Sequence, residues 1–370
     1  MNIAVFHNFL DNIGGAEIVT LTLARELNAY VYTTNIDLEK IKIMGFEDII
    51  DRIISIGKIP KQAPFRQQLA LRKFRRLNLG KKHDFYIISG DWAISGAVNN
   101  KPNLWYVHSP LNELWQFKNL IRKELVSWWK RSFFDIWVLF NRYLTARYAK
   151  HVEHWVCNSK NTQERIARFY SKNAEVIYPP VNTTSYVSKQ TNNYWLSVNR
   201  FVIHKRIEMQ MEAFSKLPNE RLIIVGSYEK GVHQFESYRK KIENLQPPNV
   251  EIRSWVDDTE LKELYAASKG FITTTNDEDF GMSVIEAMAS GKPVIAPRDG
   301  GYKESILHNK TGILIDAISA DTLIEAIKNI NNHLDTNTFY YEAASKARAR
   351  EYDTSLFIQK IKKIISKGNI

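Results

Sequence analysis

Apolar residues fall into short, often β-branched runs, separated by longer stretches of helical period. Runs at 1–8, 30–34, 51–56, 85–89, 104–107, 154–158 and 175–178 read as strands of a first series. A second series follows at 195–198, 221–225, 250–254, 270–275, 294–296 and 311–315. These runs are apolar at almost every position instead of alternating, which suits parallel strands covered on both faces. Amphipathic stretches between them give a helix that runs to about residue 27 after the first strand and open helices at 207, 260 and 282. A last apolar-striped helix is expected over 354–367. Residues 181–193 are polar and unpatterned and read as a linker. Alternating strands and helices in two tandem series predict an α/β chain of two Rossmann-like domains.

Composition sharpens this picture in a few places. With 370 residues, 44% hydrophobic, the chain can fill two ordinary domain cores. Its single cysteine, Cys157, excludes an internal disulfide and fits a reducing compartment. No basic segment precedes the opening strand, so no secretory leader is expected. No uncharged run approaches the roughly 18 residues that span a bilayer, and Asp135 interrupts 133–140. The net charge of +11 is unevenly spread. Residues 1–190 carry 27 Lys and Arg against 16 Asp and Glu, leaving 24 of each for the remainder. Residues 58–82 hold nine bases and no acid, with Leu69, Leu71, Phe74 and Leu77 interspersed. Residues 117–150 mix Trp128, Trp129, Phe133, Phe134, Trp137 and Phe140 with flanking bases. Such segments suit an anionic membrane surface, nucleic acid, or a helix packed on the core with a solvated basic face.

The stretch 276–291, NDEDFGMSVIEAMASG, concentrates the chemistry. Glu278 stands just before the helix expected at 282, and Glu286 stands on it. The N–H groups of Phe280, Gly281 and Met282 belong to the helix start, where anions are favoured. Carboxylates suit the hydroxyls of ribose or a sugar, and N–H groups suit phosphate. Arg200 and Lys205, in the loop after the 195–198 strand, could clamp a diphosphate. Gly14 and Gly15 between the first strand and first helix allow backbone to approach a ligand, though G-x-G-x-x-G is missing. His108 ends the 104–107 strand, where ligand sites of α/β folds form. Taken singly, each also fits a solvated turn or a plain βα connection. Asp277-Glu278-Asp279 is formally D-x-D, a pattern that can hold a divalent cation on a diphosphate, but Arg200 and Lys205 could neutralise a diphosphate instead, and no metal is expected. Asp258 is expected to cap the helix at 260.

The string Glu278–Met282, Glu286–Ala289 and Gly291–Val294 resembles the E-x7-E signature of retaining GT-B glycosyltransferases of family 4. The segments Asn199–Arg206 and Tyr106–Pro110 resemble that family as well, the latter its mannosyltransferase-like subset. The resemblance implies two Rossmann-like domains facing each other across a cleft, with an acceptor domain at 1–185 and a donor domain at 186–350. A terminal helix at 351–370 would cross back to the first domain. It implies that Glu286 holds ribose, Glu278 the transferred sugar, and Arg200 and Lys205 the diphosphate. Phe280, Gly281 and Met282 would add backbone donors, Gly14 and Gly15 would face the cleft, and His108 would meet the donor sugar. The expected reaction moves a hexose from GDP-mannose or a UDP-sugar to a glycan or lipid-linked acceptor, without metal or other cofactor. The expected place is the cytoplasmic face of a membrane, with no nucleic-acid partner. A sugar-nucleotide 2-epimerase, a non-catalytic sugar-binding relative, and a basic membrane- or nucleic-acid-binding protein are the alternatives.

Overall fold

The computed structural model describes residues 1–61, 65–227, 233–254 and 256–367. The chain forms two compact units, Met1–Tyr178 with the stretch from Ile358 onward, and Pro179–Phe357.

The first unit is built on seven parallel strands: β1 (Ile3–Phe6), β2 (Tyr30–Thr33), β3 (Ile53–Ser55), β4 (Phe85–Ile88), β5 (Asn103–Val107), β6 (His154–Cys157) and β7 (Glu175–Val176). Their order across the sheet is β3-β2-β1-β4-β5-β6-β7. Helices α1 (Gly15–Glu26), α2 (Leu38–Ile43), α3 (Phe65–Arg76), α4 (Lys118–Glu124), α5 (Arg131–Ala149) and α6 (Lys160–Tyr170) connect them. Strands β1, β4 and β5 are buried at every position, which is why they read as unbroken apolar runs. Ser159 caps α6 by accepting from the Thr162 amide at 3.0 Å, as its side chain promised.

The second unit holds six parallel strands: β8 (Trp195–Arg200), β9 (Leu222–Ser227), β10 (Val250–Ser254), β11 (Gly270–Ile272), β12 (Val294–Pro297) and β13 (Gly312–Ile315). Their order is β10-β9-β8-β11-β12-β13. Around them lie α7 (Ile207–Ser215), α8 (His233–Leu245), α9 (Asp258–Ala267), α10 (Met282–Ala289), α11 (Tyr302–Ser305), α12 (Ala320–Thr336) and α13 (Glu342–Arg350). Helix α14 (Thr354–Lys367) closes the chain. In each sheet the chain runs outward to one edge and then returns beside its first strand. The reversals fall between β1 and β4 and between β8 and β11. At such a reversal neighbouring connections leave toward opposite faces, which opens a crevice at the carboxyl ends of the strands.

Three details differ from the sequence expectation. Arg200 is the last residue of β8, in register with Ser227, and not a loop residue. The cap of α9 is Asp257, whose side chain accepts from the Glu260 amide, while Asp258 lies inside the helix and pairs with Lys262 at 2.5 Å. The polar stretch 181–193 is pinned to the second unit. The Val181 amide donates to the Tyr352 carbonyl, Thr183 Oγ1 to Asp353 at 2.6 Å, and the Lys189 amide to the Ala266 carbonyl. Its backbone and side chains find hydrogen-bond partners in the rest of the unit, so lack of a hydrophobic period did not mean lack of order.

Candidate active site

In the second unit the switch between β8 and β11 sets two loops side by side. Strand β8 ends in Arg200 and the loop after it carries His204 and Lys205, while the loop after β11 carries Asp277 to Gly281. The His204 carbonyl accepts from the Asn276 amide at 2.9 Å, and Thr274 Oγ1 donates to the Lys205 carbonyl at 2.7 Å. These backbone ties bring Lys205 Nζ to 2.7 Å from Glu278 Oε2. Tyr302 Oη also donates to that oxygen at 3.3 Å and shares a hydrogen bond with Thr273. Burial pushes the Glu278 carboxyl up, but Lys205 and His204 beside it more than reverse this, so it sits below the usual range. The pair is therefore a carboxylate and a cation, both largely screened from water.

The turn between Glu278 and α10 depends on two glycines. Gly281 has φ of +88°, and a Cβ there would stand 2.5 Å from the Tyr302 ring. Gly300, at φ of +52°, lies so close beneath Glu278 that a Cβ would collide with its carbonyl. The Gly301 amide donates to that carbonyl at 2.8 Å, fixing the Glu278 backbone. Phe280 is buried against Tyr352, ring centres 5.4 Å apart, and anchors the turn from below. Helix α10 begins at Met282, and the amides of its first turn have no partner within the helix.

Glu286 lies on α10, with its Oε2 accepting from Tyr265 Oη at 2.8 Å. Tyr265 is fully buried and meets Tyr186 edge-on at 5.9 Å. Burial raises the Glu286 carboxyl to about 7, which the Tyr265 hydrogen bond only partly opposes and Asp258 augments. Of the residues expected here, the structure joins Lys205 to Glu278 and seats Glu286 on the adjoining helix, while Arg200 is exposed at the end of β8. His204 was not singled out from the sequence. Burial lowers its imidazole to about 3, helped by Lys205. Tyr265, Tyr302 and Gly300 were missed as well, since their contacts cross 21 or more positions of chain.

In the first unit His108 follows β5 and His7 follows β1. His108 Nε2 lies 2.9 Å from Ser89 Oγ, which lies 2.7 Å from Thr20 Oγ1, which lies 3.0 Å from His7 Nδ1. The Asn158 side chain donates to the His108 carbonyl at 2.7 Å. Burial lowers His108 to about 3, and His7 adds to this, so the ring is neutral at physiological pH. Gly14 precedes α1 and Gly15 is its first residue. A Cβ on Gly14 would meet only the end of the Glu17 side chain, at 2.7 Å, which could turn aside.

The family description "Glycosyltransferase Family 4" matches residues 13–185, and "Glycosyl transferases group 1" matches residues 182–346. The two meet where the first sheet ends and the second begins. The chain belongs to glycosyltransferase family 4. Among relatives of this family 4 enzyme is the alpha-1,3/1,6-mannosyltransferase ALG2 of Candida glabrata, 25% identical over 83% of this chain and 78% of that protein. ALG2 of Dictyostelium discoideum is 22% identical over 99% and 98% of the two chains. The crystal structure of Anabaena HepE in complex with UDP-glucose superimposes with a TM-score of 0.74 at 18% identity, covering 99% of this chain and 100% of that one. Sucrose-phosphate synthase from Thermosynechococcus elongatus gives 0.75 at 16%, covering 99% and 98%. This glycosyltransferase thus has the GT-B architecture, two Rossmann-like units with parallel sheets.

Proposed function

We propose that this enzyme transfers a hexose, with retention of configuration, from a nucleotide diphosphate sugar to a glycan or lipid-linked saccharide. The observation that carries the reading is the half-buried Lys205–Glu278 pair at the β8/β11 switch, with Glu286 on the helix that follows. Glu286 would accept from the ribose hydroxyls and Glu278 from hydroxyls of the transferred sugar. Lys205 and Arg200 would face the diphosphate, with the first amides of α10 adding donors. When the C1–O bond to phosphate breaks, negative charge grows on the leaving oxygen beside these cations, and preorganised charge of this kind is worth roughly 10²–10³ in rate. The acceptor hydroxyl would attack on the face the phosphate leaves, and its proton would pass to the leaving phosphate oxygen. His108, neutral, would meet the sugar as a hydrogen-bonding group and not as an acid. Two positive side chains do the charge work that a metal does elsewhere, so the reading includes no metal.

GDP-mannose is the preferred donor on the strength of the mannosyltransferase relatives, and a UDP-sugar is the second choice because HepE was solved with UDP-glucose. The basic, aromatic first unit favours an acceptor presented at the cytoplasmic face of a membrane, with the enzyme peripheral to it. Thermal shifts with UDP, GDP, ADP and their sugars test the donor site. One base should stand out, undiminished by EDTA, with a gain of about 2.7 kcal/mol at 100-fold Kd. A shift that needs Mn²⁺ would move the diphosphate onto a metal and overturn that part. Arg200→Ala should lower kcat about 10²-fold with little change in donor affinity; near-normal turnover removes Arg200 from the role. Product that forms without acceptor, as an epimer, would favour the epimerase alternative.

A further inference from the structure

The basic segments of the first unit part company in the structure. Helix α3 spends its apolar residues on the core, with Ala70, Leu71 and Phe74 buried and Leu69 packed against them. Its Arg66 is buried too, in an ion pair with Asp11 at 2.5 Å. Helix α5 does the opposite. Val138, Asn141, Thr145 and Ala149 face inward, and Trp137 meets Trp92 at 6.4 Å. Phe133, Ile136, Leu139, Phe140 and Tyr143 face out, and Trp128 and Trp129 continue them through the turn just before the helix. All seven are between 54% and 79% exposed.

At roughly 100° per residue, the five helical positions fall within about 120° of the helix circumference. They form one apolar stripe on one side of the helix, not scattered surface residues. Such a stripe normally marks an interaction surface. Its charge setting says what it meets. Residues 117–150 carry eight Lys and Arg against two acids. Lys130 and Arg131 stand at the start of the stripe, and Arg147 and Lys150 at its end. The acid of α5, Asp135, is paired with Lys118 at 3.0 Å and Arg122 at 2.9 Å, and Glu124 with Lys123 at 3.6 Å. The local negative charges are thus already paired, and the net field is positive.

A row of Trp, Phe, Ile and Tyr on one helix, with cations at both ends, fits the boundary between headgroups and acyl chains. No helix among the described residues is long and apolar enough to cross a membrane. Four charged residues interrupt the 19 of α5, so it can lie on a bilayer but not span it. We infer that the outward face of α5, with Trp128 and Trp129, docks the protein on an anionic lipid bilayer, inserting its apolar side chains while the flanking cations hold the headgroups. This deepens the membrane location proposed above, yet the binding can be read without any transfer reaction.

The test is co-sedimentation of the full chain with phosphatidylcholine vesicles, with and without about a third phosphatidylglycerol. Wild type should sediment with the anionic vesicles, less so in high salt. The variant Phe133→Ser/Ile136→Ser/Phe140→Ser changes exposed positions only, so its melting temperature and nucleotide shift should hold. Its vesicle binding should fall at least about tenfold, since affinity follows the apolar area inserted. Arg72→Gln/Arg76→Gln on α3 should weaken binding far less. Undiminished binding by the α5 variant overturns the inference. So does a wild-type chain that ignores vesicles, or one whose dimer the variant dissolves, because the stripe would then serve a second copy. Intact binding with failed transfer would count against the enzymatic reading alone.

Discussion

At the scale of single residues, the cluster at the β8/β11 switch is governed by burial acting on charge. Glu286 carries the sharper consequence. Its carboxyl titrates at about 7 in the folded chain against an ordinary 4.5. A raised acid contributes stability that is fully present below 4.5 and is lost as pH rises through 7. Glu286→Gln should flatten that loss, so its melting temperature at pH 8 should equal or exceed that of wild type. Nucleotide binding should weaken about tenfold for want of a carboxylate acceptor. Melting curves from pH 5 to 8, with and without nucleotide, check both. A variant less stable than wild type at pH 8 would show that Glu286 is not held against its preference. Lys205 is the complementary case. Lys205→Met strands the Glu278 charge and should cost about 2 kcal/mol, less than the ~3–5 of a fully buried pair, because both groups keep some solvent. Adding Glu278→Gln should recover much of the stability but none of the turnover. Recovery of turnover in the double variant would show that the pair is only structural.

At the scale of elements, a basic helix is read differently once its neighbours are known. The sequence of α3 showed bases and apolar residues at helical spacing. It could not show that Arg66 reaches across to Asp11, 55 positions earlier, and lies over the Phe9 ring at 3.7 Å. Arg66→Ala should therefore destabilise by about 3–5 kcal/mol. Arg72→Ala and Arg76→Ala, at exposed positions, should stay within about 0.5 kcal/mol of wild type. Chemical denaturation of the three variants separates them, and equal effects would deny the buried pair. The strand-to-helix turn at 278–282 makes the same point. The Glu and Gly residues stand plainly in the chain, but the reason for Gly281 is the ring of Tyr302, which arrives from α11.

At the scale of the molecule, two sheets of the same plan each reverse their strand order, and each holds a neutral, half-buried imidazole near the carboxyl ends of its strands. His108 and His204 are both lowered to about 3. A histidine so lowered is stable folded above the unfolded value near 6.5, and stability is lost as pH falls from there toward 3, because only the unfolded chain gains the proton. Glu286 opposes this between 7 and 4.5, but two groups with the larger shifts outweigh one. The melting temperature should fall from pH 7.5 to pH 5. His108→Asn/His204→Asn should fall less steeply over that range. An unchanged slope would mean that these rings are not kept neutral by the fold.

Local pattern by itself determined much of this protein. Apolar runs marked the strands to within a few residues, most plainly the central β1, β4 and β5, because a strand covered on both faces has no polar positions to spare. The tandem βα series fixed the class, and the motif residues around 200–205 and 278–291 pointed to a glycosyltransferase with its donor side in the second unit. Tertiary structure alone decided what those residues touch. Strand order placed β8 beside β11 although 75 positions separate their paired residues, Trp195 and Gly270. It drew Lys205 onto Glu278 and Tyr265 onto Glu286, and it set which of two basic segments gave its apolar face to the core. Side-chain periodicity encodes which residues are buried, whereas partner and charge state depend on distances that only the folded chain closes.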